Sequence, residues 1–253
     1  MKNNEIYIKY FGKNPIQIDN TAYTLLSEDI YDGLKPRQID DPNYAFIDNY
    51  YWESWIINKI NNNSEGYFDF SKDCIDIGSN IYVYGMYTNF NYYHCFEPNH
   101  LYSCIGEFNM LLHDKFDKFK TYNVFLSKNK NDIVKYTGFK GYENEEDIKD
   151  INDINNCENI ITHTLDEYSL DNIGFIKIDV EGFEENVLRG GIGTIIRNNY
   201  PPILFELWDV DLWYMTQEKH DSLQKFLEDL GYNIFWYWGD WETHLAIHKS
   251  QLK

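Results

Sequence analysis

The stretch Phe175-Ile176-Lys177-Ile178-Asp179-Val180-Glu181-Gly182-Phe183-Glu184 constrains the fold more than any other part of the chain. An apolar run stops at two carboxylates and a glycine, and a helical pattern begins at once. A buried strand that ends in acids puts charge at a sheet edge, where open α/β sheets bind their ligands. Carboxylates are rarely set beside apolar strands unless a partner or a reaction uses them.

The remaining segments read as a frame around that edge. Asp73 to Gly78 is a predicted strand running into a glycine turn, followed by a helix over 81–90. Tyr92 to Phe96 is a second strand ending at Glu97-Pro98, then come a helix over 99–114 and a third strand over 122–126. From Lys128 to Asn159 the chain is polar and acidic, as in Glu143-Asn144-Glu145-Glu146-Asp147 and again from Asp150 to Asn156, and reads as a surface loop or insertion.

A strand over 160–166 restores order. Beyond the acidic stretch the pattern predicts a helix over 184–198, a strand over 202–207 and an amphipathic helix over 217–230 stopped by Gly231. Strands over 232–237 and 244–248 finish the chain, antiparallel across their short link. This alternation predicts an α/β fold with a doubly wound, mainly parallel sheet. Apolar spacing over 50–60 predicts one more helix, stopped by Asn61-Asn62-Asn63-Ser64. Residues 1–70, including a short strand at Tyr7 to Phe11 and a turn at Asp40-Asp41-Pro42-Asn43, are read as an N-terminal cap, and 71–253 as the main domain.

Composition narrows the partners. With 253 residues and 43% hydrophobic content the chain can build a real core. Its net charge of −19 and three arginines (Arg37, Arg189, Arg197) argue against nucleic-acid binding through a basic surface. The four cysteines (Cys74, Cys95, Cys104, Cys157) show no metal spacing, which fits a reducing compartment. The N-terminus lacks a signal-peptide apolar core, and no run approaches the ~20 apolar residues of a membrane helix. The expectation is a soluble cytoplasmic protein with no membrane insertion.

Two segments carry the signal for a cofactor. Asp76-Ile77-Gly78-Ser79-Asn80 lies between a strand and a helix, where a glycine lets the backbone come close to a ligand. Glu97 follows 97 − 76 = 21 residues on, the spacing at which an acid reaches ribose hydroxyls. A nicotinamide fingerprint would show three glycines; here there is one, with an acid inside the motif. That favours S-adenosylmethionine, which has no pyrophosphate, and disfavours an NAD-dependent oxidoreductase.

These motifs also occur in a known order. Asp76-Ile-Gly-Ser-Asn80, Phe96-Glu97-Pro98-Asn99, Thr164-Leu165-Asp166, Ile176-Lys177-Ile178-Asp179-Val180-Glu181-Gly182 and Leu204-Phe205-Glu206 resemble the FkbM-type methyltransferases across roughly 73–250. The resemblance implies a Rossmann-like class I methyltransferase fold with a seven-stranded sheet, S-adenosylmethionine as donor and a hydroxyl acceptor, often on a sugar or other small molecule. One departure is Tyr82, where the family pattern usually has glycine. Its side chain is expected either to crowd the methionine tail or to point outward from the first helical turn.

Roles follow, each beside a plainer alternative. Asp76, with Gly78, Ser79 and Asn80, is expected to hold the methionine end, the alternative being a helix cap. Glu97, with Pro98 after it, is expected to hold the ribose; the alternative is a surface acid at a strand end. Asp179 and Glu181 are the pair expected to face the acceptor and take its proton, though Glu181 could instead cap the helix that starts near Phe183. Glu206 or Asp209 at the neighbouring strand tip could join them, and such acids could hold Mg²⁺; metal-free catalysis is preferred. His163 is a further candidate base, against the usual structural role of a lone strand histidine. Trp208, Trp213, Tyr214, Trp236, Tyr237, Trp238 and Trp241 could stack on sugar rings, but core packing explains most aromatics. The function expected is O-methyl transfer, and its rival is a non-catalytic ligand- or glycan-binding protein on the same fold.

Overall fold

Alternation at period two gives each strand two faces, and in the strands over 73–77 and 173–178 both faces are buried. The structure is a computed structural model that describes residues 53–138, 140–144, 148, 157–208, 210, 216–238 and 242–252. It also gives the backbone of two short antiparallel strands, β1 (Ile16–Gln17) and β2 (Tyr23–Thr24). Then follow α1 (Ser54–Asn62), β3 (Asp73–Ile77), α2 (Val83–Tyr87), β4 (Tyr93–Phe96), α3 (His100–Leu112) and β5 (Phe119–Tyr122). Next come β6 (Phe125–Leu126), β7 (Ile133–Tyr136), β8 (Gly141–Tyr142) and β9 (Glu158–His163), a 3₁₀ turn (Leu165–Tyr168) and β10 (Ile173–Ile178). The chain closes with α4 (Glu184–Arg189), α5 (Ile192–Arg197), β11 (Ile203–Glu206), α6 (Gln217–Asp229), β12 (Tyr232–Phe235) and β13 (Thr243–His248).

Seven strands form one sheet in the order β12-β13-β11-β10-β3-β4-β5, with β13 antiparallel to both neighbours and the other pairs parallel. This is the expected α/β architecture. The chain winds outward from β3 through β4 to β5, then returns to place β10 on the other side of β3. A crevice therefore opens at the carboxyl ends of β3 and β10, the switch point where such sheets bind ligands.

All six residues of β10 are buried. Ile75, Ile77, Ile176, Ile178, Ile203 and Phe205 pack with Val187, Leu188, Ile195 and Leu227 on one face. Cys74, Phe175 and Leu204 pack with Ile56, Ile57, Ile60, Ile105 and Met110 on the other. Helix α1, from the segment expected as a cap, thus shares a core with the main sheet. By alternation, Asp76, Lys177 and Glu206 fall on this second face, on three adjacent strands.

Several elements differ from the expectation. The third strand begins at Phe119 and ends at Tyr122, because the Asn123 amide donates to the Glu97 and Pro98 carbonyls and turns the chain. The acidic region contains β7 and β8, which join β6 and β9 in a second sheet of order β6-β9-β7-β8. Strand β9 is therefore not in the main sheet. Val134 and Tyr136 alternate inward onto Phe125 and Phe183, while Ile133 and Ile161 face solvent. The helix expected over 184–198 breaks at Gly190-Gly191, two poor helix formers in a row. The helix expected over 81–90 is only Val83–Tyr87, because Asn80 and Tyr82 have positive φ (47° and 65°).

Tyr7 to Phe11, Asp40 to Asn43, Glu145 to Asp147, Asp150 to Asn156, Asp209, Trp213, Tyr214 and Trp241 lie outside the described residues. Among those described, no helix is long and apolar enough to cross a membrane.

Candidate active site

The candidate donor side is built on the turn after β3. Gly78 has φ +68°, and a side chain there would collide with the Asp179 carbonyl, so only glycine fits. The Gly78 and Ser79 amides donate to Phe96 O (2.9 and 3.1 Å), tying the turn to β4. Glu97, itself buried, accepts from Asn80 N through Oε2 (2.9 Å) and from Asn99 N through Oε1 (2.8 Å). Burial pushes its carboxyl up to about 7. Asp76 has no exposed surface, and burial raises its pKa against the pull of Lys177.

Both Asp76 oxygens, Ser79 Oγ and Asn80 Oδ1 are buried without a hydrogen-bond partner. Unpaired buried polar atoms are rare and mark a strain, a reaction or a missing ligand. Grouped on one turn, they suit a ligand that brings N–H and O–H donors. The expected cofactor residues thus come together, with Pro98 supplying a carbonyl that helps Asn123 hold the loop. Asn99, to which the motif reading gave no role, caps α3 by accepting from Leu101 N and Tyr102 N. Its amide donates to Gly138 O (2.7 Å), fastening the β7–β8 turn beside the cleft.

The candidate acceptor side is a trio of acids. One carboxylate oxygen from each of Asp179, Glu181 and Glu206 lies within 4.8 Å of the other two. Such crowding opposes ionising all three. Burial, then the Asp179 and Glu184 charges, push Glu181 up to about 8. Burial, then the Asp179 and Glu181 charges, push the Glu206 carboxyl well above its ordinary value. Glu181 is not the cap that the alternative reading offered. The start of α4 has no side-chain cap, and Glu184 Oε1 instead accepts from Val180 N and Gly182 N (3.1 Å each), tying down the loop before the helix. Three oxygen ligands are also a donor set that a hard divalent cation takes.

Between the two sides stands Lys177, whose neighbour across the β10–β3 ladder is Asp76. Its Nζ donates to Gly78 O (2.8 Å) and lies 3.6 Å from Asp76 Oδ1 and 3.5 Å from Asp179 Oδ2. Burial works against its charge, but Asp179 and Asp76 more than offset this and raise its pKa. Removing one partner of a buried ion pair costs about 3–5 kcal/mol. Lys177 sat in the motif without a role; the signal was a charge at a buried strand position.

Tyr82 does neither of the things expected of it. Its ring turns inward and is fully buried, 6.2 Å from the Phe119 ring, with its hydroxyl 3.0 Å from Thr121 Oγ1. It occupies space left by Gly106, where a Cβ would meet the ring at 2.5 Å. The positive φ accounts for a glycine in the usual pattern, and the tyrosine leaves the donor turn clear.

His163 lies on β9, with Nδ1 3.7 Å from Glu167 and its ring beside Tyr168. Among the described residues none of these contacts joins it to the trio. Asp166 of the Thr164-Leu165-Asp166 motif accepts from Gly193 N (2.9 Å), Thr194 N (2.6 Å) and Thr194 Oγ1 (2.8 Å), and so anchors α5. Of the described members of the aromatic group, Trp238 is buried against Phe68, Trp208 and Trp236 pack partly buried on the core, Trp236 stacking on His220, and Tyr237 is exposed.

Residues 69–234 match the methyltransferase FkbM domain. The chain belongs to the FkbM methyltransferase family. A solved methyltransferase FkbM from Methylobacillus flagellatus superposes on it with a TM-score of 0.50 at 16% identity. The match covers 75% of this chain and 47% of that one, so the chain spans about half the length of that relative. Weaker likenesses are a SAM-dependent methyltransferase from Geobacter sulfurreducens in complex with S-adenosyl-L-homocysteine (TM-score 0.41, 10% identity, 71% and 64% coverage) and a human methyltransferase 10 domain containing protein (0.40, 12%, 97% and 94%). No curated protein matches. Membership of the FkbM family accords with the sheet order, whose switch point lies within the matched residues.

Proposed function

We propose that this FkbM-family protein is an S-adenosylmethionine-dependent O-methyltransferase acting on a hydroxyl of a sugar, glycan or other small molecule. The observation that carries the reading is that buried acceptors without hydrogen-bond partners on the Asp76–Asn80 segment and the acid trio lie at the carboxyl ends of adjacent strands of one sheet. When bound, S-adenosylmethionine supplies an electrophilic methyl group on a positively charged sulfonium. Asp76, Ser79 and Asn80 would hold its methionine end. Glu97 retains a lone pair on each oxygen for the ribose hydroxyls, since each oxygen accepts one backbone N–H.

Asp179 orients the acceptor hydroxyl and takes its proton, which contributes typically 10²–10⁴-fold to such reactions. Glu206, whose carboxyl stands beside Asp179 in the trio, steadies it in that orientation. Glu181 shares the proton load of the trio. A second reading has its own support, because the same three oxygens could bind Mg²⁺ and polarise the acceptor through it.

The test joins binding and turnover. S-adenosylhomocysteine should raise the melting temperature, as a ligand of the folded state does. Labelled methyl should pass to at least one member of a panel of sugars, nucleotide sugars and oligosaccharides. Asp179→Asn should keep donor binding and lose roughly 10²-fold or more in turnover. No thermal response at roughly millimolar donor product would defeat the proposal. Glycan binding without transfer would make the protein a binding module. Turnover lost to EDTA and restored by Mg²⁺ would assign the trio to a cation.

A further inference from the structure

We propose that Lys177 is a positioning residue for methyl transfer, tying the donor turn to the acceptor acid through one buried ammonium group. The inference rests on the methyl-transfer reading above. Its basis is the geometry of three contacts that converge on a single nitrogen. Nζ donates to Gly78 O at 2.8 Å, and the carboxylates of Asp76 and Asp179 stand on either side at 3.6 and 3.5 Å. Glu53 adds to the negative field around it, and the Tyr84 ring centroid lies 5.4 Å away.

Stability alone does not account for this lysine. The same sheet face accepts Cys74, Phe175 and Leu204, all buried. A well-packed apolar residue in place of a buried ion pair is often as stable or more so. What an apolar residue could not do is fix three groups at once. Asp76 belongs to the donor turn, Gly78 is the residue on which that turn pivots, and Asp179 faces the acceptor. Gly78 already abuts the Asp179 carbonyl, so the backbone contact and the ammonium bridge join the same two segments. In-line transfer is sensitive to such placement, and a shift of about 1 Å can lower the rate by about 10²-fold.

The test compares the full chain with Lys177→Met and with the double variant Lys177→Met/Asp76→Asn, which removes the buried carboxylate that the single change leaves unpaired. Hydrogen exchange of the free proteins is read at 78–80 and 179–182. Both segments should exchange faster together while the amides of β3 and β10 stay protected. With donor and acceptor present, Lys177→Met should weaken S-adenosylhomocysteine binding and lower kcat by about 10²-fold per folded molecule. Should the single variant fail to fold, the double variant carries the exchange measurement, read against Asp76→Asn alone because Asp76 is itself placed on the donor.

Unchanged exchange at the two segments, or a lower melting temperature with kcat per folded molecule retained, would overturn the proposal. Wild-type protein that binds no S-adenosylhomocysteine would overturn the methyl-transfer reading instead. The exchange pattern needs no donor, and it still decides whether Lys177 holds the two segments together.

Discussion

Tyr82 shows how little of a side chain's direction can be read from its neighbours in sequence. A tyrosine where the family pattern has glycine looks like an obstruction of the donor site. What matters is the positive φ, which turns the ring toward α3, and the absence of a side chain at Gly106, which makes room for it. Left-handed backbone costs a non-glycine residue roughly 1–2 kcal/mol, whereas emptying a core site of an aromatic costs about 3–5 kcal/mol. Packing outweighs strain, so Tyr82→Gly should destabilise the protein without tightening donor binding. Gly106→Ala should cost about 1–3 kcal/mol by overpacking, and much less in the Tyr82→Gly background. A double-mutant cycle by denaturant melts measures that coupling; additive changes would refute the contact. Lys177 makes the opposite point. It was in plain view, but only the register that sets it beside Asp76 shows what it touches.

At the scale of elements, the strands of the main sheet were legible because their apolar runs are short, dense and stopped by glycine or acid. The second sheet was not. Strand β7 has one face on Phe125 and the other in water, and acidic flanks hide so short an alternation. The 3₁₀ turn after β9 was likewise read as more strand, although it carries a capping box between Thr164 and Glu167. Asp166 in that turn gathers two backbone amides and a hydroxyl at the start of α5. Asp166→Ala should therefore lower stability by about 1–3 kcal/mol, the penalty of leaving such donors unsatisfied. S-adenosylhomocysteine affinity, measured by calorimetry, should stay the same; a large loss would move this motif from scaffold to site.

For the whole molecule, the place where the acids gather was readable because acids at the ends of adjacent strands converge at the switch point. The state of those acids was not, since burial sets it. Glu97 and Glu184 are pushed up to about 7 and Glu181 to about 8, from an ordinary value of 4.5, all chiefly by burial. Each group holds its proton more tightly folded than unfolded, so the folded chain binds more protons across this window. Their contribution to stability is full below about pH 4.5 and is lost as pH rises through about 7 to about 8. The melting temperature should be higher near about pH 5 than near about pH 8.5, and Glu181→Gln should narrow the difference. A melting temperature that rises across the window would contradict the burial of these groups. The close approach of Gly78 to the Asp179 carbonyl and the Val180 side chain bears on any attempt to redesign the acceptor by recombination. A chimera cut between β3 and β10 would separate surfaces shaped to each other at one atom's clearance. The workable crossover lies after Val180, so that a foreign segment brings its own Glu181 equivalent and inherits the donor turn intact.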